Sequence, residues 1–289
     1  MENKAVVGSN PIYRNRLLTH RIGITLSSIA MAFGIFVLLW ILGTLLYKGF
    51  GALSVGMFTY STPAPGSEGG GLLNAIVGSF FMVAIATLVS TPIGILAGIY
   101  LAEYGDRSWF GFVTRFVTDI MLSAPSIVIG LFVYAIYVFH VKHFSGWAGS
   151  IAISLIAVPV IVRTTDNMLG LVPTSLREAA FALGAPRWKV ALLIRLRAVK
   201  AGVVTGVLLA VARISGETAP LLFTALNNQF LSTNMNAPMA NLPVVIYQFA
   251  LSPYDNWREL AWGGALLITF SVLALNIISR VLSTQKVQS

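Results

Sequence analysis

The chain has no cysteine among its 289 residues, which excludes disulfides, thiol catalysis and cysteine-ligated metals. Charged residues are also scarce, at 10% of the sequence against about 25% in ordinary soluble domains. Hydrophobic residues make up 56%. This composition indicates a protein of the lipid bilayer rather than a soluble globular domain.

Motifs for chemistry are missing as well. No G-x-x-x-x-G-K-S/T loop occurs, so the chain cannot bind ATP by that route, and energy for any active process must come from another subunit. No Ser, His and Asp grouping lies within one predicted helix face or loop, which leaves no catalytic residue to nominate. His140 and His143 lack a neighbouring carboxylate or thiolate, so no metal site is expected. We therefore expect neither an enzyme nor a chain with a cofactor of its own.

Long uncharged runs predict six membrane-crossing helices, because about 20 apolar residues cross the ~30 Å hydrocarbon layer. Helices are required, since lipid leaves no water to satisfy an open backbone. The predicted fold is an all-α membrane protein with six transmembrane helices in a single domain, 1–289. The approximate spans are 22–47, 71–101, 112–139, 146–170, 201–226 and 260–282.

The net charge of +9 indicates an orientation in the membrane, because short cytoplasmic loops collect Lys and Arg. With the N-terminus inside, only Lys48, Lys142 and Arg258 lie outside. The cytoplasmic side then holds Lys4, Arg14, Arg16, Arg21, Arg107, Arg115, Arg163, Arg177, Arg187, Lys189, Arg195, Arg197, Lys200, Arg280 and Lys286. We expect both termini in the cytoplasm and no nucleic-acid binding, which needs a clustered basic surface on a soluble domain.

A polar, basic segment, residues 175–197, separates two of the apolar spans. Ser175 begins an S-x-x-E capping box, which predicts that a helix starts there. Gly184 is expected to end this helix, and Pro186 to begin a second one. The bend would expose residues 181–183 as a small knob. The segment therefore predicts a docking surface at one face of the membrane, although an ordinary cytoplasmic loop has the same composition.

Two charged residues lie within the predicted fifth span. Arg213 and Glu217 are four residues apart, on one helix face about 6 Å apart along the axis. A charge at the bilayer centre costs roughly 3 kcal/mol, so such residues mostly face a partner or a pore. They form either a buried ion pair or an anion site, in which the guanidinium matches phosphate oxygens and the carboxylate competes for it. Gly216 and Pro220 predict a helix kink beside them, suited to a gate.

Two weaker features accompany these. Asp119 in the third span is expected to pair with Arg115, four residues earlier, as a structural contact.

The apolar run Pro243–Leu251 is too short to span and predicts an interfacial helix, or a surface met by a soluble substrate-delivery protein.

The spacing in the basic segment resembles the EAA loop of bacterial ABC importer permeases. Glu178, Ala179, Ala180, Gly184, Ile194 and Leu196 fit the family pattern, although Arg197 stands where that pattern has proline. Two longer runs, Val162–Ala185 and Ala212–Ala225, resemble the phosphate-specific members of the family.

The resemblance implies a type I ABC importer permease fold with a cytoplasmic coupling loop at residues 173–200. The residues that would enter a cleft of the ATPase are Glu178, Ala179, Ala180, Phe181, Leu183 and Gly184. It also joins Arg163 to Arg213 and Glu217 as positions linked to phosphate movement. Arg163 is also where topology alone would place an arginine, at the inner rim of a span.

The same resemblance implies partners and a location. They are a second permease subunit, two ATP-binding subunits that hold the ATP and Mg²⁺, and an extracytoplasmic phosphate-binding protein, in the bacterial inner membrane. Two alternatives stay open: a permease for another oxyanion such as phosphonate, sulfate or molybdate, and a membrane scaffold that senses phosphate without moving it.

Overall fold

The computed structural model describes residues 11–105 and 108–284, and over those residues the chain is helical without a strand. Four helices are long and apolar enough to cross a membrane, and six spans result when each of two bent helix pairs is taken as one. The predicted all-α fold is confirmed. Lys4, Arg107 and Lys286, three of the basic residues used for the orientation, lie outside the described residues.

The helices are numbered in chain order. The first six are α1 Pro11–Ala52, α2 Val55–Thr59, α3 Leu73–Tyr104, α4 Trp109–Ser123, α5 Ser126–Val141 and α6 Gly146–Gly170. The others are α7 Thr174–Ala182, α8 Arg187–Ala198, α9 Lys200–Ser215, α10 Ala219–Leu222, α11 Leu242–Ala250 and α12 Asp255–Thr284.

Helix α6 is the centre of the bundle and packs against α3 over most of its length. Gly94 and Gly98 of α3 make this contact close. A Cβ atom added at Gly94 would lie 2.7 Å from Cβ of Ile161, and one at Gly98 would lie 2.6 Å from Cβ of Thr165. The glycine pair therefore lets two helix backbones approach within the chain.

A neighbouring face of α6 receives α9 in the same way. Gly202 and Gly206 of α9 leave no room for a Cβ atom against Met168 and Thr164 of α6. Both glycine pairs therefore pack on α6. Helix α9 also contacts α12, which closes this side of the bundle.

Helix α1 stands apart from the bundle. Every residue from Ile22 to Gly43 is exposed, although this stretch is apolar around its whole circumference. Its main contact within the chain is with α12, near its own C-terminal end, where the rings of Phe50 and Phe270 lie 6.0 Å apart. The rest of α1 presents apolar surface to lipid or to another subunit.

The third predicted span, 112–139, consists of two helices, α4 and α5, that meet at 108°. Pro125 precedes α5, and the residue before a proline is pushed out of the helical region. Ala124 accordingly has φ −68° and ψ 136°. The dipeptide Ala124–Pro125 therefore explains the break between α4 and α5.

The fifth predicted span, 201–226, is also divided. Helix α9 ends at Ser215 and the short helix α10 follows after residues 216–218. At its other end α9 joins α8 with a bend of 76°.

The predicted interfacial run is helix α11, which is buried over much of its surface and leaves Tyr247 and Leu251 exposed. Leu242, Val244, Val245 and Phe249 are buried, in a cluster shared with the first half of α12. The side chain of Asn241 caps α11 by accepting a hydrogen bond of 3.0 Å from the amide of Val244.

The two ends of the bundle differ in charge. We call the end formed by α7, α8 and the C-terminal turns of α3 and α6 the basic end, because six basic residues lie between Arg177 and Lys200. The other end, the far end, holds the loop 223–241. This loop fastens α3 and α6: Asn74 donates to the carbonyl of Asn228 at 2.7 Å, and the amide of Ser145 donates to the carbonyl of Thr224 at 3.0 Å.

Candidate functional site

Several charged side chains lie on helices that are otherwise apolar. One of them, Arg213, lies far along α9 from the basic end. It lies thirteen residues after the start of α9, about 20 Å from the basic end at 1.5 Å per residue. Its Nε is 3.7 Å from Oε1 of Glu217. The Arg213 side chain is 48% exposed, so this contact is loose and open to an added ligand.

Glu217 reaches Arg213 from outside the helix. The helix ends at Ser215, so the predicted kink is a complete break of the helix at residues 216–218. The missing amide of Pro220 explains why α9 does not continue, and proline is favoured in the first turn of the new helix. The Glu217 side chain is 17% exposed, which makes it the better-buried member of the pair.

The break is held by close packing on α5. A Cβ atom at Gly130 would lie 2.6 Å from Cα of Pro220. The hydroxyl of Thr224 donates to the carbonyl of Pro220 at 2.7 Å. The Gly130 contact fastens helix α10 to α5, while the Thr224 bond is local to α10 and residues 216–218 connect α10 to α9.

Arg163 lies on α6, seven residues before Gly170, about 10 Å from the end of that helix. It forms an ion pair with Asp119 of α4, at 3.6 Å, and both side chains are about half exposed. The expected partner of Asp119 was Arg115, and that prediction is corrected. Arg115 instead contacts Asp166 at 3.3 Å and donates to the carbonyl of Leu101, also at 3.3 Å.

Helix α7 carries the residues that the sequence assigned to coupling. Glu178, Ala179, Phe181, Leu183 and Gly184 are exposed, and Leu183 is 88% exposed. Ala180 is the one buried member of the six.

Gly184 ends α7 as predicted, with φ +78°. The amide of Gly184 donates to the carbonyl of Phe181 at 2.9 Å, and the amide of Ala185 donates to the carbonyl of Ala180 at 3.1 Å. These two bonds form a Schellman motif, which uses the left-handed residue to satisfy the last carbonyls of the helix. The knob of residues 181–183 therefore has a defined shape.

The predicted start of α7 is wrong by one residue. The helix begins at Thr174, Pro173 is its N-cap, and no side chain caps it. Proline at the preceding position fixes φ at −56° and sets the entry to the helix, so Ser175 lies inside the first turn. The capping box at Ser175 is not formed.

Helix α8 contains a feature that the sequence analysis missed. Residues Val190–Arg195 form a π-helical segment, and Arg195 is buried at its end. Arg195 forms an ion pair with Glu103 of α3 and donates to the carbonyl of Leu169 at 2.7 Å. The available signal was Glu103 itself, since the chain has only ten acidic residues and this one lies at the end of an apolar span.

No cofactor geometry accompanies these groups. Among residues 11–105 and 108–284, no group of three or more His, Asp or Glu side chains is placed to hold a metal ion.

An open groove of about 800 Å³ between α3, α9 and α12 has an almost wholly apolar lining, and Arg163, Arg213 and Glu217 are not part of it. The two ion pairs, Arg163 with Asp119 and Arg213 with Glu217, therefore lie outside this groove.

Comparisons with a family model and with individual proteins point to the same family. Residues 94–285 match the model of the family described as "Binding-protein-dependent transport system inner membrane component". The "Phosphate transport system permease protein PstA" of Pasteurella multocida is 61% identical over 278 residues, covering 96% of this chain and 99% of that protein. Proteins of the same name from Haemophilus influenzae and Mycobacterium leprae are 64% and 32% identical, over 90% and 98% of this chain and 92% and 95% of their own lengths.

Two solved structures share the fold. One, of the MetNI methionine ABC transporter facing inward, matches with a TM-score of 0.59 at 18% identity, over 72% of this chain and 94% of that chain. A bacterial alginate ABC transporter in complex with a periplasmic protein matches with a TM-score of 0.58 at 13% identity, over 96% and 98%. With the match of the family model to residues 94–285 and the close relatives over nearly the full length, the chain belongs to the family of binding-protein-dependent transport system inner membrane components, multi-pass proteins of the inner membrane.

Proposed function

We propose that this chain is one of two permease subunits of an ATP-driven importer of inorganic phosphate, and that phosphate passes Arg213 on its way across the membrane. The observation that carries the proposal is the half-exposed guanidinium of Arg213, far from either end of the bundle and only loosely paired. The choice of phosphate as the substrate rests on the relatives that are named phosphate permeases, at up to 64% identity.

An exposed charge at membrane depth is expensive against lipid, by roughly 3 kcal/mol or more. Arg213 and Arg163 are therefore expected to face another protein chain or a water-filled path rather than hydrocarbon. A second permease subunit placed over Arg213 and Arg163 would create a water-filled path between the two subunits. Arg163 and Arg213 would then offer phosphate two planar forks in succession.

Glu217 is suited to release the anion. Its contact with Arg213 is weak in this conformation, so phosphate can displace the carboxylate at little cost. When phosphate leaves, Glu217 neutralises Arg213 again. The site therefore binds an anion without trapping it.

The broken helix at residues 216–218 provides the moving part. Interrupted helices at membrane depth are tolerated where they line a cavity, and they frequently carry the substrate site of transporters. A change of angle between α9 and α10 would move Arg213 relative to α5, which alternating access requires.

The energy comes from two ATP-binding subunits docked at the basic end. The exposed knob on α7 is the docking element, with Phe181 and Leu183 as its apolar contacts. We expect no catalytic residue and no cofactor in this chain itself. An extracytoplasmic phosphate-binding protein would deliver the anion at the far end and supply most of the selectivity.

The excess of Lys and Arg at the basic end supports a cytoplasmic location for that end. Both chain termini then lie in the cytoplasm. This places the knob on the same side as cellular ATP, in agreement with an importer driven from within.

The test is ATP-dependent uptake of labelled phosphate into vesicles that contain the complete complex, with sulfate, molybdate and a phosphonate as competitors. We expect phosphate uptake that excess of the other anions does not reduce. Strong competition by one of them would reassign the substrate to that oxyanion. ATPase activity that responds to phosphate without any uptake would instead favour a sensing scaffold.

A further inference from the structure

Arg195 joins three helices at the basic end. It extends from α8, forms an ion pair with Glu103 in the last turn of α3, and donates to the carbonyl of Leu169 in the last turn of α6. The Leu169 carbonyl is one of the last four of α6, which have no partner within the helix, and it also accepts from the amide of Val172 at 3.3 Å. One guanidinium therefore closes the end of α6 and holds α3 against it.

The pair is deeply buried. The side chains of Arg195 and Glu103 are 7% and 4% exposed, and the surrounding cluster contains the buried residues Ile99, Leu169 and Ala191. Removing two charges from water is costly, and apolar residues of similar size are often as stable or more stable in such positions. Stability alone is thus a poor explanation for this pair, and a role in fixing geometry is a better one.

The position of Arg195 connects the docking knob on α7 with Arg163 on α6. Helix α7 contacts the π-helical part of α8, and Ala180 is the one buried residue of α7. Arg195 is the last residue of that part. From Leu169, the same helix α6 leads to Arg163, six residues away, or about 9 Å along the axis.

Helix α3 gives Arg195 a second connection to α6. Its glycines pack on α6, so α3 and α6 form one closely packed pair. Arg195 holds both members of this pair at once, by a side chain on α3 and a carbonyl on α6. A displacement of α8 is thereby transmitted to the pair as a whole.

We propose that the Arg195–Glu103 ion pair is the mechanical link that carries motion of the α7 knob to α6 and hence to Arg163. Arg195 and Glu103 are positioning residues, which touch no substrate. This inference rests on the proposed function only in that the ATPase subunits dock on α7. It does not depend on which anion is transported.

The test uses the absence of cysteine in the chain. Single cysteines placed by Ser175→Cys on α7 and Asn167→Cys on α6 give two unique reporters, both at exposed positions. They are combined with the double variant Glu103→Met/Arg195→Met, which leaves no unpaired charge, in the complete complex with cysteine-free partner subunits. Thiol labelling rates are then compared with and without ATP.

In the wild type we expect ATP to change the labelling rate at both reporters. In the double Met variant, the change at Ser175→Cys should persist and the change at Asn167→Cys should disappear, with phosphate uptake per assembled complex reduced at least tenfold. The control variant Asp255→Met/Arg258→Met removes an exposed ion pair at the far end and should keep both labelling responses.

An unchanged response at Asn167→Cys in the double Met variant would overturn the link, as would a wild type with no response there. Should the double variant not assemble, Arg195→Lys provides the same test, since one ammonium keeps the charge for Glu103 but lacks the fork that reaches both partners. It should reduce the response at Asn167→Cys by at least half, and a full response would overturn the link. A wild type that moves no phosphate while both reporters respond to ATP would refute the substrate assignment and leave the link intact.

Discussion

Replacement of Gly184 by alanine should weaken ATPase docking through backbone geometry alone. A Cβ atom at this position would meet no other atom within 4 Å, so alanine causes no clash. The only cost is that of a left-handed backbone, φ +78°, which is about 1–2 kcal/mol for a residue with a Cβ. That cost should reduce the fraction of knobs in the docking shape by about 5- to 30-fold.

Asparagine distinguishes this explanation from simple loss of glycine. Asn adopts the left-handed region more readily than Ala, because its short amide can bond to the nearby backbone. The expected order of docking affinity is therefore wild type, then Gly184→Asn, then Gly184→Ala. The assay is the dissociation constant of purified ATPase subunits from the membrane complex in nanodiscs.

Gly170 provides the matched control. It is an exposed glycine at the end of α6, a Cβ atom there also meets nothing within 4 Å, and its φ is not positive. Gly170→Ala should bind the ATPase as the wild type does. Equal affinities for Gly184→Ala and the wild type would refute the reasoning, because the left-handed turn would then not determine the shape of the knob.

Three further changes test other contacts. Gly206→Leu forces a side chain into Thr164 and should destabilise the bundle by about 1–3 kcal/mol, seen as a lower melting temperature, whereas Gly34→Leu on the exposed face of α1 should not. Leu183→Asp should leave the melting temperature unchanged, since the side chain is 88% exposed, yet abolish ATPase docking; retained docking would remove Leu183 from the interface. Glu217→Gln should lower both KM and kcat for phosphate, because the anion binds more easily and leaves more slowly; a raised KM would contradict its role as a displaceable partner.

Much of the fold could be predicted because it depends on local signals. Uncharged runs located the helices, since lipid penalises charge directly. Gly184 was identified as the end of α7 because few other residues adopt its conformation. The break at Pro125 was equally local and was overlooked, since the apolar character of the run 112–139 concealed the proline.

The ion pairs could not be predicted in this way. Arg163 and Asp119 are 44 residues apart in sequence, and Arg195 and Glu103 are 92 apart, so only the packing of helices brings them together. Of the two pairs expected at a spacing of four residues, Arg213 with Glu217 forms and Arg115 with Asp119 does not. Even in the pair that forms, the helix ends between the two residues, and the contact survives because the turn after Ser215 keeps Glu217 near.

The burial of α11 illustrates the same limit. Its nine-residue apolar run has no charge that would indicate which side faces water. The contacts that bury it come from α12, which follows it directly in the chain, and from α3, which lies far earlier in the sequence. Length and composition alone could therefore not show which residues of α11 are buried against other helices.

The central claim is that phosphate passes Arg213. The most direct measurement is the rate of ATP-driven phosphate uptake by the reconstituted complex, for the wild type and for Arg213→Ala at matched assembly and matched ATPase docking. We predict that Arg213→Ala loses uptake while the complex still assembles and binds its ATPase subunits. Uptake at the wild-type rate in Arg213→Ala would contradict the account and leave Arg213 and Glu217 as a structural ion pair.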